Sequence, residues 1–152
     1  MAVYQVITTP DQVLRAKAKT VNKINDGVFR VLDNMKDTLY AENGVGLAAP
    51  QIGISKRLVV IDTGDNYLEL INPEIIEAHG EQVASEGCLS IPGIVGLVKR
   101  AERVVVKSLN RQGEEQILEG SGLLARALQH EIDHLDGILF TDKAIETRHE
   151  PI

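Results

Sequence analysis

Apolar residues change their spacing along this chain, and the changes mark its elements. From Asn25 or Asp26, the residues Val28, Val31, Leu32, Met35 and Leu39 recur at helical intervals, predicting an amphipathic helix that ends near Tyr40 or Ala41. Before it the chain reads as extended, with Pro10 stopping any early helix and Asp11 to Leu14 forming at most one turn. Arg57–Asp62 is β-branched and apolar and reads as a strand. Leu68–Asn72 and Ile75–Ala78 flank Pro73 as neighbouring or bent strands. Pro92-Gly93 reads as a break, and Arg103–Leu109 and Gln116–Leu118 read as a hairpin turning through Asn110–Gly113. Helical spacing returns at Leu123, Leu124, Ala127, Leu128, Ile132 and Leu135, with Ser121 as N-cap and Gly137 as the terminating glycine. No repeat or linker divides the chain. The reading is one α+β domain over 1–152, a mostly antiparallel sheet packed around a C-terminal helix, with an amphipathic helix near the N-terminus.

Composition narrows the function classes. A net charge of -6 over 152 residues leaves no basic footprint for nucleic acid. Aromatic residues make up only 3%, so base or sugar stacking is a poor hypothesis. No apolar run reaches membrane-span length and no leader pattern opens the chain, so a soluble, cytoplasmic protein is expected. Cys88 is the single cysteine, which excludes an intrachain disulfide. A lone cysteine is usually a small buried apolar residue, but Glu86-Gly87-Cys88-Leu89-Ser90 places this one beside a glycine.

The last helix carries the chemistry. At about 100° per residue, His130 and His134 fall on one stripe with Leu123 and Ala127, and Glu131 lies beside it toward the core arc. Gln129, Asp133, Arg126 and Asp136 take the remaining arc. His130-Glu131-Ile132-Asp133-His134 is an H-E-x-x-H arrangement, which offers two nitrogen ligands to one metal and holds a carboxylate beside a water on it. Two unrelated histidines on one helix are the plain alternative. Gln51, Glu86, Cys88, His130, Glu131 and His134 are the polar groups that an ordinary core would not hold. A cysteine with two histidines leaves a fourth position open, as a catalytic metal requires. Glu131 can then act as general base and acid, and the Gln51 amide can donate to an oxyanion.

Three stretches together resemble the motifs of the peptide deformylases: Gly44-Val45-Gly46-Leu47-Ala48-Ala49-Pro50-Gln51, Glu86-Gly87-Cys88-Leu89-Ser90 and His130-Glu131-Ile132-Asp133-His134. The resemblance extends over nearly the whole chain, including Ile71-Asn72-Pro73 and Leu139-Phe140. It implies removal of the formyl group from the N-terminal formylmethionine of newly made polypeptides, with release of formate. By that resemblance Cys88, His130 and His134 hold the metal, Glu131 moves the proton, and Gln51 and the Leu89 backbone N–H meet the oxyanion. Substrate would contact Gly44, Val45, Gly46, Glu86, Gly87, Leu123 and Ala127, the methionine entering an apolar pocket shared by Val45, Leu123, Ala127 and His130. Ferrous iron is the metal the family implies; such a site also accepts zinc, nickel or cobalt. Arg100 is the partner the resemblance suggests for Asp133.

Two features depart from the family pattern. Only 15 residues follow Gly137, so the long helix with which some relatives contact the ribosome is expected to be absent or rudimentary. Gly93-Ile94-Val95-Gly96 lacks the charged residues that many relatives place there. Two other readings stay open at this level. A zinc peptidase would take its third ligand downstream, from Glu146 or His149, and a non-enzymatic metal-binding or interaction module would keep the fold without the chemistry.

Overall fold

Asn25 caps the first helix with its side chain, accepting from the Val28 N–H, and α1 runs Asp26–Ala41. The computed structural model describes residues 2–150; Met1, Pro151 and Ile152 of the expected domain lie outside the described residues. After α1 come β1 (Gly46–Ala48), β2 (Leu58–Asp62), β3 (Tyr67–His79), β4 (Gln82–Cys88), β5 (Ile91–Arg100), β6 (Arg103–Leu109) and β7 (Glu115–Ser121). Then α2 (Gly122–Leu135), α3 (Phe140–Lys143) and β8 (Ala144–His149) follow. The expected antiparallel sheet is two sheets, ordered β1-β2-β3-β6-β7 and β4-β5-β8.

Side-chain alternation along β2 explains why the larger sheet carries a helix on each face. Leu58 and Val60 join α1 residues Val28, Leu32, Met35 and Leu39 in one core. Val59 and Ile61 point the other way, into a core with Ala125, Leu128, Ile132 and Leu135 of α2. A third core, built from Leu14, Ile91, Val98, Leu139 and Phe140, lies under the smaller sheet and reaches Cys88.

The two stretches flanking Pro73 are one bent strand. The β3–β6 register shifts between Ile71 and Glu74, where Asn72 adopts φ 52° and its amide bonds both the N–H and the C=O of Val21 at 2.9 Å. Two expectations need correction, and one strand was not expected. Pro92-Gly93 does not end a strand: it is a bulge inside β5, with exposed Pro92 and left-handed Gly93 (φ 79°). Ser121 stands at the N-cap of α2 but makes no side-chain cap bond. The polar stretch after Lys143 is a strand, β8, pairing antiparallel with β5 from Val98 to Ile94.

Gly137 stops α2 as expected, at φ 75°, and a Cβ there would fall 2.4 Å from the Arg15 carbonyl oxygen. No helix among the described residues is long and apolar enough to cross a membrane.

Candidate active site

Cys88 closes β4, while His130 and His134 sit one helical turn apart on α2. These two elements bring a sulfur and two imidazoles together, with one ligand atom of each lying within 4.8 Å of the others. Cys88 Sγ is 3.2 Å from His134 Nε2. His130 turns Nδ1 toward Glu86 Oε1 at 2.9 Å, which leaves Nε2 to face the cluster, 4.0 Å from Glu131 Oε2. Among the described residues, two buried side-chain polar atoms have no partner, Glu131 Oε1 and His134 Nδ1. Soft and borderline donors converging beside an unpartnered carboxylate oxygen fit a divalent metal with a position left for substrate. Glu146 and His149, the downstream ligands a peptidase would use, are exposed on β8 and stand outside this cluster.

Charges around the cluster call for a cation. Burial pushes the Glu131 carboxyl up to about 7. Burial alone would lower His130, but the Glu131 charge, the Cys88 contact and the Glu86 hydrogen bond outweigh it and raise the imidazole to about 10. His134 is pushed down to about 3 by burial and by the charge on His130. Burial would raise Glu86 too, yet hydrogen bonds and charge from Arg100 and His130 hold it far below the ordinary carboxylate range.

Gln51 belongs to a 3-10 turn, Ala49–Ile52, and is 1% exposed. Its Oε1 accepts from the Ala48 N–H at 2.9 Å, which fixes the amide so that Nε2 faces Cys88 Sγ at 3.5 Å and donates to Ser90 Oγ at 3.1 Å. A cavity of about 670 Å³ opens over these groups. Gly44, Val45 and Gly46 line it from β1 and the turn before it, Glu86 and Gly87 from β4, and Leu123 and Ala127 from α2. Gln51, Cys88, Leu89, His130 and Glu131 reach the same space; His134 does not line it.

The family model described as polypeptide deformylase matches residues 3–150. The chain belongs to the peptide deformylase family. It is 64% identical to the peptide deformylase of Syntrophomonas wolfei, over 100% of both chains. The crystal structure of the Thermotoga maritima deformylase is 43% identical, with a TM-score of 0.92, covering 95% of this chain and 99% of that one. A class I type b deformylase from Acinetobacter baumannii, crystallised with Met-Ala-Ser bound, is 37% identical with a TM-score of 0.89, covering 93% of this chain and 98% of that one. The deformylases are metalloenzymes that hydrolyse the N-formyl group of new peptides, and this chain has the Cys/His/His arrangement for the metal.

Two residues stand differently from their expected places. The Glu86 side chain, expected at substrate, is spent on Arg100, Arg126 and His130, so only its backbone is free toward the groove. Arg126, expected on the outer polar arc, is 5% exposed. It is paid back for burial by three acceptors: Glu86, Gln82 Oε1 at 3.1 Å and the Val98 carbonyl at 3.0 Å. The suggested Arg100–Asp133 pair is present at 2.6 Å, and Lys143 adds a second cation to Asp133 at 3.0 Å. Ser90, buried and bonded to Gln51, was not singled out by the sequence; its place two residues after Cys88 was the available signal.

Proposed function

We propose that residues 2–150 act as one catalytic unit in which Cys88, His130 and His134 hold a divalent ion, ferrous iron in the native protein, and Glu131 transfers the proton. The observation that carries this reading is the convergence of the three donors beside a buried carboxylate at the floor of a groove. A divalent ion so held supplies Lewis acidity, which makes a water acidic near neutral pH and polarises the formyl carbonyl.

The rest is the work of the chain's own groups. Glu131 takes the proton of the attacking water as the water oxygen adds to the formyl carbon. The Gln51 amide and the Leu89 backbone N–H donate to the oxyanion that develops, each such donor contributing roughly 3 kcal/mol. Glu131 then passes the proton to the amine nitrogen as the carbon–nitrogen bond breaks, releasing formate and a free N-terminus. The peptide lies extended along Gly44–Gly46 and Gly87 through backbone hydrogen bonds that ignore its sequence, which suits an enzyme acting on many nascent chains. The methionine side chain enters the apolar end of the groove, between Val45, Leu123, Ala127 and His130. In this reading the activity belongs to the cytoplasm, where new polypeptides carry their formyl group.

Metal counting on protein purified without oxygen tests the metal assignment. About one iron per chain is the expected result; zinc or nickel filling the site from the same cells would replace ferrous iron in this reading.

A further inference from the structure

Arg126 and His130 are one turn apart on α2, and they grip the two oxygens of one carboxylate. Arg126 donates to Glu86 Oε2, while His130 Nδ1 meets Oε1 at 2.9 Å. Arg100 reaches Glu86 from β5, with Nε on Oε2 at 2.9 Å and a terminal nitrogen on Oε1 at 2.8 Å. A single bidentate arginine would leave the carboxylate free to rock within its fork. The second guanidinium, entering from the helix itself, removes that freedom. Arg126 is in turn tied to both strands of the neighbouring hairpin, through Gln82 Oε1 on β4 and the Val98 carbonyl on β5. The contacts run as a chain, Arg126 to Glu86 to Arg100 to Asp133, with Lys143 also on Asp133.

We infer that Arg126 is a positioning residue for the metal site: it locks Glu86 so that His130 presents Nε2 toward Cys88 and His134 in one fixed orientation. The inference rests on the metal assignment given above. Partners behind a metal-binding histidine typically govern about 10-fold to 100-fold in metal affinity or activity. Arg126→Met keeps the stem and removes every donor, and Arg126→Lys keeps the charge while losing the fork.

The test compares zinc-loaded parent, Arg126→Met and Arg126→Lys proteins against a coloured zinc chelator, with circular dichroism to establish folding. Turnover of formyl-Met-Ala-Ser is measured on the same samples. Expected are a zinc affinity about 10-fold to 100-fold weaker in Arg126→Met, a fall in kcat with KM within about threefold, and an intermediate loss in Arg126→Lys. A folded Arg126→Met that holds zinc as tightly as the parent overturns the inference, as does a change confined to KM. If Arg126→Met does not fold, Arg126→Lys decides by the same comparison. Zinc retention is read without turnover. A parent protein that binds zinc, yet releases no formate when loaded with ferrous iron, would therefore overturn the deformylase mechanism alone.

Discussion

The Glu131 carboxylate lies against the bare α-carbon of Gly46: a Cβ built there would fall 2.6 Å from Oε2 and 2.8 Å from Cγ. The glycine between Val45 and Leu47 is therefore required by a close approach, since it lets the Glu131 carboxylate reach the groove floor between β1 and α2. Gly46→Ala must move either the carboxylate or the strand. Activity is expected to fall by about 100-fold, as for other small displacements of a positioned group, while the metal stays bound. Formate release and metal content measured together check this; a fully active alanine variant would contradict the contact.

In the proposed mechanism Glu131→Ala removes proton transfer and no ligand. It should keep the metal while losing about 10²-fold to 10⁴-fold in kcat, the usual contribution of a positioned general base. Stopped assays at several pH values are the check. Retention of most of the parent rate would remove Glu131 from the mechanism.

Cys88→Ala deletes one of the three donors and should leave the purified protein with little metal. Cys88→Ser should retain part of it, because a hydroxyl is a poorer ligand than a thiolate but still donates through oxygen. Elemental analysis of both variants after dialysis against a chelator separates the two. A Cys88→Ala protein that keeps one ion per chain would place the third ligand elsewhere.

Acid sensitivity has a source far from the groove. Burial would raise Glu69, but hydrogen bonds from Arg111 at 2.7 and 2.8 Å and from the Tyr67 hydroxyl at 2.8 Å hold it below its ordinary value. A carboxylate with a depressed folded pKa stabilises the fold above its unfolded pKa of about 4.3, and that stability is lost as pH falls through the folded value. Glu69→Gln should therefore cost roughly 1–2 kcal/mol at pH 7 and progressively less below pH of about 4. Urea unfolding of both proteins at neutral and acid pH measures the difference. Parallel curves at every pH would exclude Glu69 as a source of the acid sensitivity.

Much of this architecture was legible because helices and alternating strands write their period into the sequence. The Val28–Leu39 stripe gave α1 its bounds to within a residue, and the ligand-bearing helix was readable from the spacing of His130 and His134. What was not legible depends on tertiary charge matching. Arg126 sits beside the His130 stripe, yet nothing local shows that Glu86 and the Val98 carbonyl wait to neutralise it in the interior. The pairing of β8 with β5 was hidden for a related reason: Ile145, Glu146, Thr147, Arg148 and His149 are exposed, so no apolar alternation marks them as a strand. Pro92-Gly93 misled because a bulge and a strand end use the same residues.

One measurement joins metal, groove and proton transfer: formate release from formyl-Met-Ala-Ser by oxygen-free protein, with the metal counted in the same sample. Turnover with about one ion per chain, abolished by a chelator and restored by ferrous iron, is the predicted result. A fully metal-loaded chain that releases no formate would contradict it.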